Sequence, residues 1–544
     1  MNALLLSGNE AIALGAFEAG VKVGAGYPGT PSTEILENLT RYPGVYTEWS
    51  VNEKVALELG VGSAISGART IVTMKHVGLN VASDPLFTAS YIGVKAGLLV
   101  VCADDPDMHS SQNEQDNRNY AFAAKVPMVE PSDSQEAKEF TKRAYLLSES
   151  YDTPVILRTT TRISHSKGIV YPSPETDRKT PVPGFTRNIE KYVMIPSYAR
   201  ARHGEVEKRM RRLEDDVNRL DLNRIEWGDP SLGFITSGVC YTYVKEAFPA
   251  ASVLKLGVVY PLPGELIREF CAKTQRVFVV EELDPFIELR VRAMGIPVEG
   301  KKHFPLTGEL SPDLVASPLE ALGIRSGRKK GEGLKGDLAL PPRPPSLCPG
   351  CPHRTVFGTL KKLGLTVTGD IGCYTLGALP PFTSIDTCIE MGGSIGIAQG
   401  IEIAESAIPG TAEGSGAGGP KERHTVAVLG DSTFAHSGLT GLLNAAYNGR
   451  KSLIIVLDNG TTAMTGMQPN PLSGERLNGE KTVALDYTKL GEACGLNPAN
   501  VRIVDAYKPE EVEEAVTSLM KTGRLSLLVV KGLCVILKRK RKGA

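Results

Sequence analysis

The sequence predicts a multidomain α/β protein, and three observations carry that expectation. The chain has 544 residues, whereas single domains run about 100–200, so three or four are expected. Short apolar strands alternate with amphipathic helices toward both ends of the chain, the pattern of largely parallel sheets. Near the C-terminus two apolar strands run straight into polar clusters, at the strand ends where open α/β sheets bind ligands.

The first residues, Met1-Asn-Ala-Leu-Leu-Leu6, resemble a secretory leader but lack a basic start. Ser7, Asn9 and Glu10 interrupt the run, so a first strand is expected. Residues 1–185 form the first α/β region, with strands at Thr70–Met74 and Leu98–Cys102 and helices at Gly8–Ala19, Val51–Ile65 and Ser134–Ser150. Residues 186–229 are a charged connector. Met210, Leu213, Val217 and Leu220 recur at helical spacing, which predicts a solvated helix hairpin, with a partner-docking helix as the alternative. Residues 230–325 return to α/β, with strands at Leu232–Ser237, Val253–Leu256 and Arg276–Glu281. Gly, Pro and charge at high density make 326–345 a linker. The last α/β region is 346–544, interrupted by a Gly- and Ser-rich insert at 410–421 that reads as a mobile surface loop. Its basic end, Lys538-Arg-Lys-Arg-Lys542, reads as a solvated terminus rather than a nucleic-acid arm.

Hydrophobic residues make up 42% of the chain and charged residues 22%, with 61 acidic and 61 basic side chains. That balance points to neither a nucleic-acid nor a membrane-surface partner. The longest apolar runs fall far short of the roughly 20 residues of a membrane span. Nine widely spread cysteines, an odd number, predict a reducing cytoplasmic setting in which thiols serve metals or chemistry.

Val426-Ala-Val-Leu429 leads into Gly430-Asp431-Ser432, a helix follows at Leu439–Tyr447, and a second strand at Leu453–Leu457 delivers Asp458-Asn459. This is the layout of a thiamine diphosphate–magnesium site. A small hard cation takes oxygen ligands, here the Asp431 carboxylate, the Asn459 amide oxygen and the Thr461 carbonyl, together with phosphate oxygens. Gly430, Ser432 and the helix amides suit the diphosphate. The plainer alternative is two ordinary strand-end turns. Cys348-Pro-Gly-Cys351, Cys373 and Cys534 form a second set. Four thiolates suit a [4Fe–4S] cluster or zinc, and the spacing alone does not bring Cys534 to the others. Cys102, Cys240, Cys271, Cys388 and Cys494 read as buried structural thiols.

The chain resembles the large (alpha) subunits of the indolepyruvate branch of the 2-oxoacid:ferredoxin oxidoreductases. The matching stretches are Tyr27-Pro-Gly-Thr-Pro-Ser-Thr33, Glu48-Trp-Ser-Val-Asn-Glu53, Thr73-Met-Lys-His-Val-Gly-Leu-Asn80 and the run from His109 to Arg118. Further along they are Cys348–Arg354, Gly369–Gly377, Gly430–Ser437 and Leu457–Gly466. The resemblance implies a pyrimidine-binding domain at 1–185, a transketolase C-terminal-like domain at 230–325 and a diphosphate-binding domain at 346–544. It gives Glu53 the hydrogen bond to the aminopyrimidine of thiamine diphosphate and places Thr30 against the 2-oxo acid carboxylate. His76 joins them as a catalytic candidate, and Lys75, Asn113 and Arg118 are candidates for substrate contact, all on loops after strands. Thr465 belongs to the cofactor-binding set with Gly430, Asp431, Ser432, Asn459, Thr461 and Cys373.

The same resemblance makes Cys348, Cys351, Cys373 and Cys534 ligands of a [4Fe–4S] cluster. It also implies coenzyme A as co-substrate, an aryl pyruvate such as indolepyruvate as substrate, and a homodimer with sites built across two chains. A small (beta) subunit is a further implied partner. Relatives continue into a ferredoxin-like domain, and no such cysteine runs follow Cys534 here, so a separate ferredoxin is expected. The rival readings are a non-oxidative 2-oxo acid decarboxylase or lyase and a catalytically silent scaffold subunit.

Overall fold

The computed structural model describes residues 3–173, 181–327, 344–406 and 424–542. The chain forms two compact units, residues 1–336 and 337–544. The insert at 410–421 and most of the linker at 326–345 lie outside the described residues.

The first unit is built on a seven-stranded sheet. Its order is Val258–Tyr260, Met128–Val129, Val155–Thr160, Leu98–Asp104, Thr70–Lys75, Val23–Gly26 and Tyr46–Trp49. All neighbours are parallel except the pair Val258–Tyr260 and Met128–Val129. Thr70–Lys75, Leu98–Asp104 and Val155–Thr160 are buried along their whole length, as parallel strands covered on both faces must be. The expected first strand is present at Leu4–Ser7 and pairs antiparallel with Lys167–Val170. It hands the chain to the helix Gly8–Glu18 through a capping box between Ser7 and Glu10.

A second sheet in this unit runs Val277–Val280, Asp229–Ser237, Ala251–Leu256, Arg224–Glu226. Its inner face shares one apolar core with the first sheet, where Ile235, Leu254 and Val279 join Ala25, Val72 and Val100. Two buried arginines accompany that core. Arg158 pairs with Asp104 at 2.7 Å and with Glu130, which also accepts from the Ser237 hydroxyl at 3.0 Å. Arg118 pairs with Asp116 and, at 2.6 Å, with Glu281 of the second sheet's end.

The charged connector departs from expectation. It holds one 21-residue helix, Pro196–Asp216, rather than a hairpin, because the lone Gly204 is no turn signal by itself. Its inner side is not solvated. Val206, Met210 and Leu213 are buried, and Arg209 donates to the Ser90 and Asp152 carbonyls.

The second unit carries a six-stranded, all-parallel sheet in the order Thr387–Cys388, Thr366–Gly369, Thr425–Gly430, Leu453–Asp458, Ser526–Lys531, Val501–Asp505. Alternation divides each central strand between two cores. Val426, Val428 and Ile455 pack on one face, and Ala427, Leu429, Ile454 and Val456 on the other. Among the described residues no helix is long and apolar enough to cross a membrane. The thiols are less uniform than the sequence implies. Cys102 and Cys240 are buried, but Cys271, Cys388 and Cys494 are only half-buried, each lying at an element's end or outer side.

Arg118→Leu leaves Asp116 and Glu281 as uncompensated buried charges. Urea titration should show a loss of about 3–5 kcal/mol, partly recovered when Asp116→Asn and Glu281→Gln are added.

Candidate functional site

In the second unit the strands Thr425–Gly430 and Leu453–Asp458 lie side by side, with Gly430 opposite Leu457. Their ends therefore place Asp431 and Asn459 close together. Asp431 is 2% exposed and opens the turn Asp431–Thr433, which passes through a π-helical turn at Phe434–Gly438 into the helix Leu439–Tyr447. Its carboxylate accepts from the Ser432 amide at 2.7 Å and from the Gly460 amide at 3.0 Å. Gly460 has φ +75°, which only glycine adopts at no steric cost. No cationic side chain pairs with Asp431 among the described residues. Burial first, and Asp458 second, push its carboxyl up to about 8.

Asn459 is held from three directions. Its side-chain oxygen accepts from the Thr461 amide at 3.0 Å, and its Nδ2 faces His353 Nε2 at 3.4 Å. Its main-chain oxygen accepts from the Cys534 amide at 3.0 Å. The loop beyond is closed by Gln468. The Thr461 hydroxyl donates to the Gln468 carbonyl at 3.1 Å and the Thr465 hydroxyl to its side-chain oxygen at 2.6 Å. The Thr462 hydroxyl reaches back to Ser432 at 2.9 Å. Beside Asp431 lies Asn470, with its amide nitrogen buried. A buried carboxylate without a cationic partner, steadied only by neutral donors such as the Asn470 amide, suits a divalent ion.

Gly430 is needed for close packing, since a Cβ there would stand 2.8 Å from the Tyr374 ring. Tyr374 in turn donates to Asp370 and, at 3.1 Å, meets the Thr433 hydroxyl. Asp370 follows the neighbouring strand Thr366–Gly369, is fully buried, and also accepts from the Ser394 hydroxyl at 2.7 Å. Burial pushes its carboxyl up to about 7. Sequence reasoning passed over Asp370, Tyr374, His353, Gln468 and Asn470. One signal was available: Gly369-Asp370 repeats the strand–Gly–Asp pattern of Gly430-Asp431.

The four cysteines lie in the same unit. Cys348 and Cys351 form a turn closed by the Cys351 amide on the Cys348 carbonyl, and Cys373 opens the short helix Cys373–Ala378. Cys534 precedes the helix Val535–Lys542. The C-terminal segment packs on the first turn, for a Cβ at Gly350 would meet Val535 Cγ1 at 3.7 Å and one at Gly532 would meet Pro352 at 2.5 Å. Cys534 is thus brought to the others across more than 160 residues. Burial, then the neighbouring Cys351, Cys534 and Cys348, push the Cys373 thiol up to about 12. Among the described residues, no group of three or more His, Cys, Asp or Glu side chains is placed to hold a single metal ion.

In the first unit Lys75 ends the strand Thr70–Lys75 and His76 opens the helix His76–Val81, so neither lies on a loop. Both converge on the segment Ser110–Asn113. Lys75 Nζ donates to the Ser110 carbonyl at 2.6 Å, His76 Nε2 meets the Asn113 carbonyl at 3.1 Å, and the Ser110 hydroxyl points to the Thr30 carbonyl at 3.4 Å. Asn113 enters this group through its main chain. Burial holds Lys75 down to about 8, against the opposing pull of Asp105. Burial first, and Lys75 second, hold His76 down to about 4, so its ring is neutral. Glu53 starts the helix Glu53–Ile65, is 6% exposed, and lies against Gly78, where a Cβ would stand 2.6 Å from its Oε1. Arg118 is the exception. It opens the helix Arg118–Ala124, is 1% exposed, and spends its guanidinium on Asp116, Glu281 and the Glu282 and Asp284 carbonyls. In this structure its donors are directed to partners inside the fold.

Comparisons with known proteins give concordant matches. Residues 14–209 match the family model "Pyruvate flavodoxin/ferredoxin oxidoreductase, thiamine diP-bdg", and residues 370–530 match "Thiamine pyrophosphate enzyme, C-terminal TPP binding domain". The chain is 39% identical to indolepyruvate oxidoreductase subunit IorA of Archaeoglobus fulgidus, over 99% of this chain and 88% of that one. It is 42% identical to the subunit of the same name from Methanothermobacter marburgensis, over 92% and 83%. Among solved structures, the 2-oxoglutarate:ferredoxin oxidoreductase of Magnetococcus marinus, with 2-oxoglutarate, coenzyme A and succinyl-CoA bound, aligns with a TM-score of 0.50 at 17% identity. That alignment covers 59% of this chain and 65% of that chain, and it speaks to the fold alone.

Asp431→Asn should raise the melting midpoint of the metal-free protein at pH 9. Because the folded-state carboxyl titrates near 8 and an unfolded one near 3.9, the wild type bears the full cost of a buried charge only above pH 8. The gain should shrink as pH falls from 8 toward 4. A midpoint independent of pH would show that Asp431 is not an unpaired buried acid.

Proposed function

The chain belongs to the family of indolepyruvate oxidoreductase IorA subunits, which are thiamine-diphosphate-dependent 2-oxoacid:ferredoxin oxidoreductases, and from that membership we propose that it converts an aryl pyruvate such as indolepyruvate to an acyl-CoA. In this reading the electrons leave through a [4Fe–4S] cluster on Cys348, Cys351, Cys373 and Cys534 to a ferredoxin-type acceptor. The observation that carries it is the threefold hold on Asn459. The segment that bears Cys534 and the helix that follows Cys351 both bond to this residue, so the thiols and the oxygen donors are parts of one framework.

Asp431, Asn459 and the Thr461 carbonyl hold magnesium, with Gly430, Ser432 and Thr465 on the diphosphate side. Glu53 holds the aminopyrimidine. Bound thiamine diphosphate supplies the electron sink that loss of carbon dioxide from a 2-oxo acid requires. Thr30 and the Lys75 ammonium face the substrate carboxylate, and the neutral His76 offers a ring nitrogen for a proton at the substrate. Family membership favours a cluster over zinc. Cysteine-only sites suit either, and all four cysteines that the family uses for its cluster are present here. A homodimer of this chain, a small (beta) subunit and a separate ferredoxin complete the assembly.

Anaerobic purification should yield about four irons per chain, as one [4Fe–4S] cluster requires, and Cys373→Ala should lose them together with the EPR signal of the reduced cluster. Iron-free wild type that releases carbon dioxide and aldehyde from aryl pyruvates would establish the non-oxidative decarboxylase instead. The KM for the 2-oxo acid should rise as pH passes through about 8, where Lys75 loses its proton. Lys75→Arg, which stays charged, should carry the rise beyond that range.

A further inference from the structure

Cys534 is followed within about one helical turn by a run of exposed basic side chains. The helix Val535–Lys542 starts beside that cysteine, and the Lys538 amide bonds the Cys534 carbonyl at 2.8 Å. Lys538, Arg539, Lys540 and Arg541 are all exposed. Lys538, Arg539 and Lys540 have no ion-pair partner among the described residues, and Arg541 reaches Glu475 only at 4.0 Å. Cations at a helix C-terminus stabilise the helix dipole. That effect needs one or two charges in the last turn, whereas four consecutive residues at about 100° spacing point around the whole helix. The chain as a whole is neutral, so the excess is local. Two exposed apolar side chains adjoin it. Ile536 is 42% exposed, and Tyr507, 49% exposed, donates its hydroxyl to the Leu533 carbonyl at 3.2 Å.

We propose that this helix is the docking surface for an acidic electron-carrier protein, which takes electrons from the site containing Cys534. The inference rests on the oxidoreductase reading above and adds where the carrier binds. A helix rises about 1.5 Å per residue, so the charges at 538–541 stand within roughly 6–11 Å of Cys534 along its axis. A carrier held there lies close to the thiols, and complementary charge speeds encounter while leaving the complex able to dissociate. Ile536 and Tyr507 supply the small apolar contact that a short-lived complex needs. The balance is that a 2-oxo acid anion and coenzyme A thiol give acyl-CoA, carbon dioxide, one proton and two electrons. Two oxidised one-electron carriers dock in turn, and each leaves reduced by one electron.

The test uses the anaerobic holoenzyme with its partner subunit, an acidic bacterial ferredoxin as the carrier, and methyl viologen as a small cationic acceptor. In Lys538→Gln/Arg539→Gln/Lys540→Gln/Arg541→Gln the KM for ferredoxin at low ionic strength should rise roughly ten-fold, within the range of electrostatic steering. The difference should vanish at high salt, and the viologen rate and iron content should match wild type. Arg539→Lys/Arg541→Lys, which keeps the charge, should bind ferredoxin as wild type does. Should the fourfold variant lose its iron, Lys538→Gln and Lys540→Gln singly should each raise the KM about two-fold. An unchanged KM in iron-replete variants overturns the proposal, as does tighter binding of the wild type to duplex DNA or phosphatidylglycerol vesicles than to ferredoxin at equal salt. Wild type that reduces neither acceptor from any aryl pyruvate defeats the oxidoreductase reading itself, and this inference with it.

Discussion

The second unit depends on how one amide side chain is fixed at the end of a central strand. Asn459 donates to His353, and accepts from Thr461 through its side chain and from Cys534 through its main chain. Buried polar groups stay hydrogen-bonded because an orphan costs about 1–3 kcal/mol. Each of these bonds therefore ties down a neighbouring segment: the start of the helix His353–Leu363, the loop from Thr461 to Gln468, and the strand exit that carries Cys534. Parallel pairing brings Asp431 and Asn459 together, and the bonds to Asn459 hold these segments around them.

Buried charge is handled in two ways. In the first, Arg118 and Arg158 neutralise Asp116, Glu281, Asp104 and Glu130 within the fold. In the second, Asp431 and Asp370 are buried without a cationic partner among the described residues, and that burial raises their pKa values. A fold shaped by stability alone has no use for an isolated buried carboxylate, and such groups concentrate where a ligand completes them. The first set serves the fold, and the second suits a bound ligand.

The parts legible in the sequence are those written in local pattern. Leu439–Tyr447 has the expected bounds, and the strands around Val426–Leu429 and Leu453–Leu457 are one or two residues longer than their apolar runs suggest. Gly430-Asp431 and Asp458-Asn459 could be placed on neighbouring strand ends because the strand and helix periods are local. What escaped depends on distant partners. His353 matters through a residue 106 positions away, and Arg118 is claimed by Glu281, 163 positions away. No spacing rule announces such a pair. The same holds for the long connector helix, where Arg209 belongs to a charged run in sequence yet donates to the carbonyls of Ser90 and Asp152.

The strand Val258–Tyr260 belongs by sequence to the second α/β region yet completes the edge of the first region's sheet. Joined with the shared apolar core and the bond from Arg118 to Glu281, it makes the two regions interlocking rather than merely adjacent. A peptide chain cut in the turns between Asp216 and Arg224 would leave two fragments that still recognise each other by strand, by core and by charge. The covalent link there is therefore one of several ties between the two regions, and strand, core and charge supply the others.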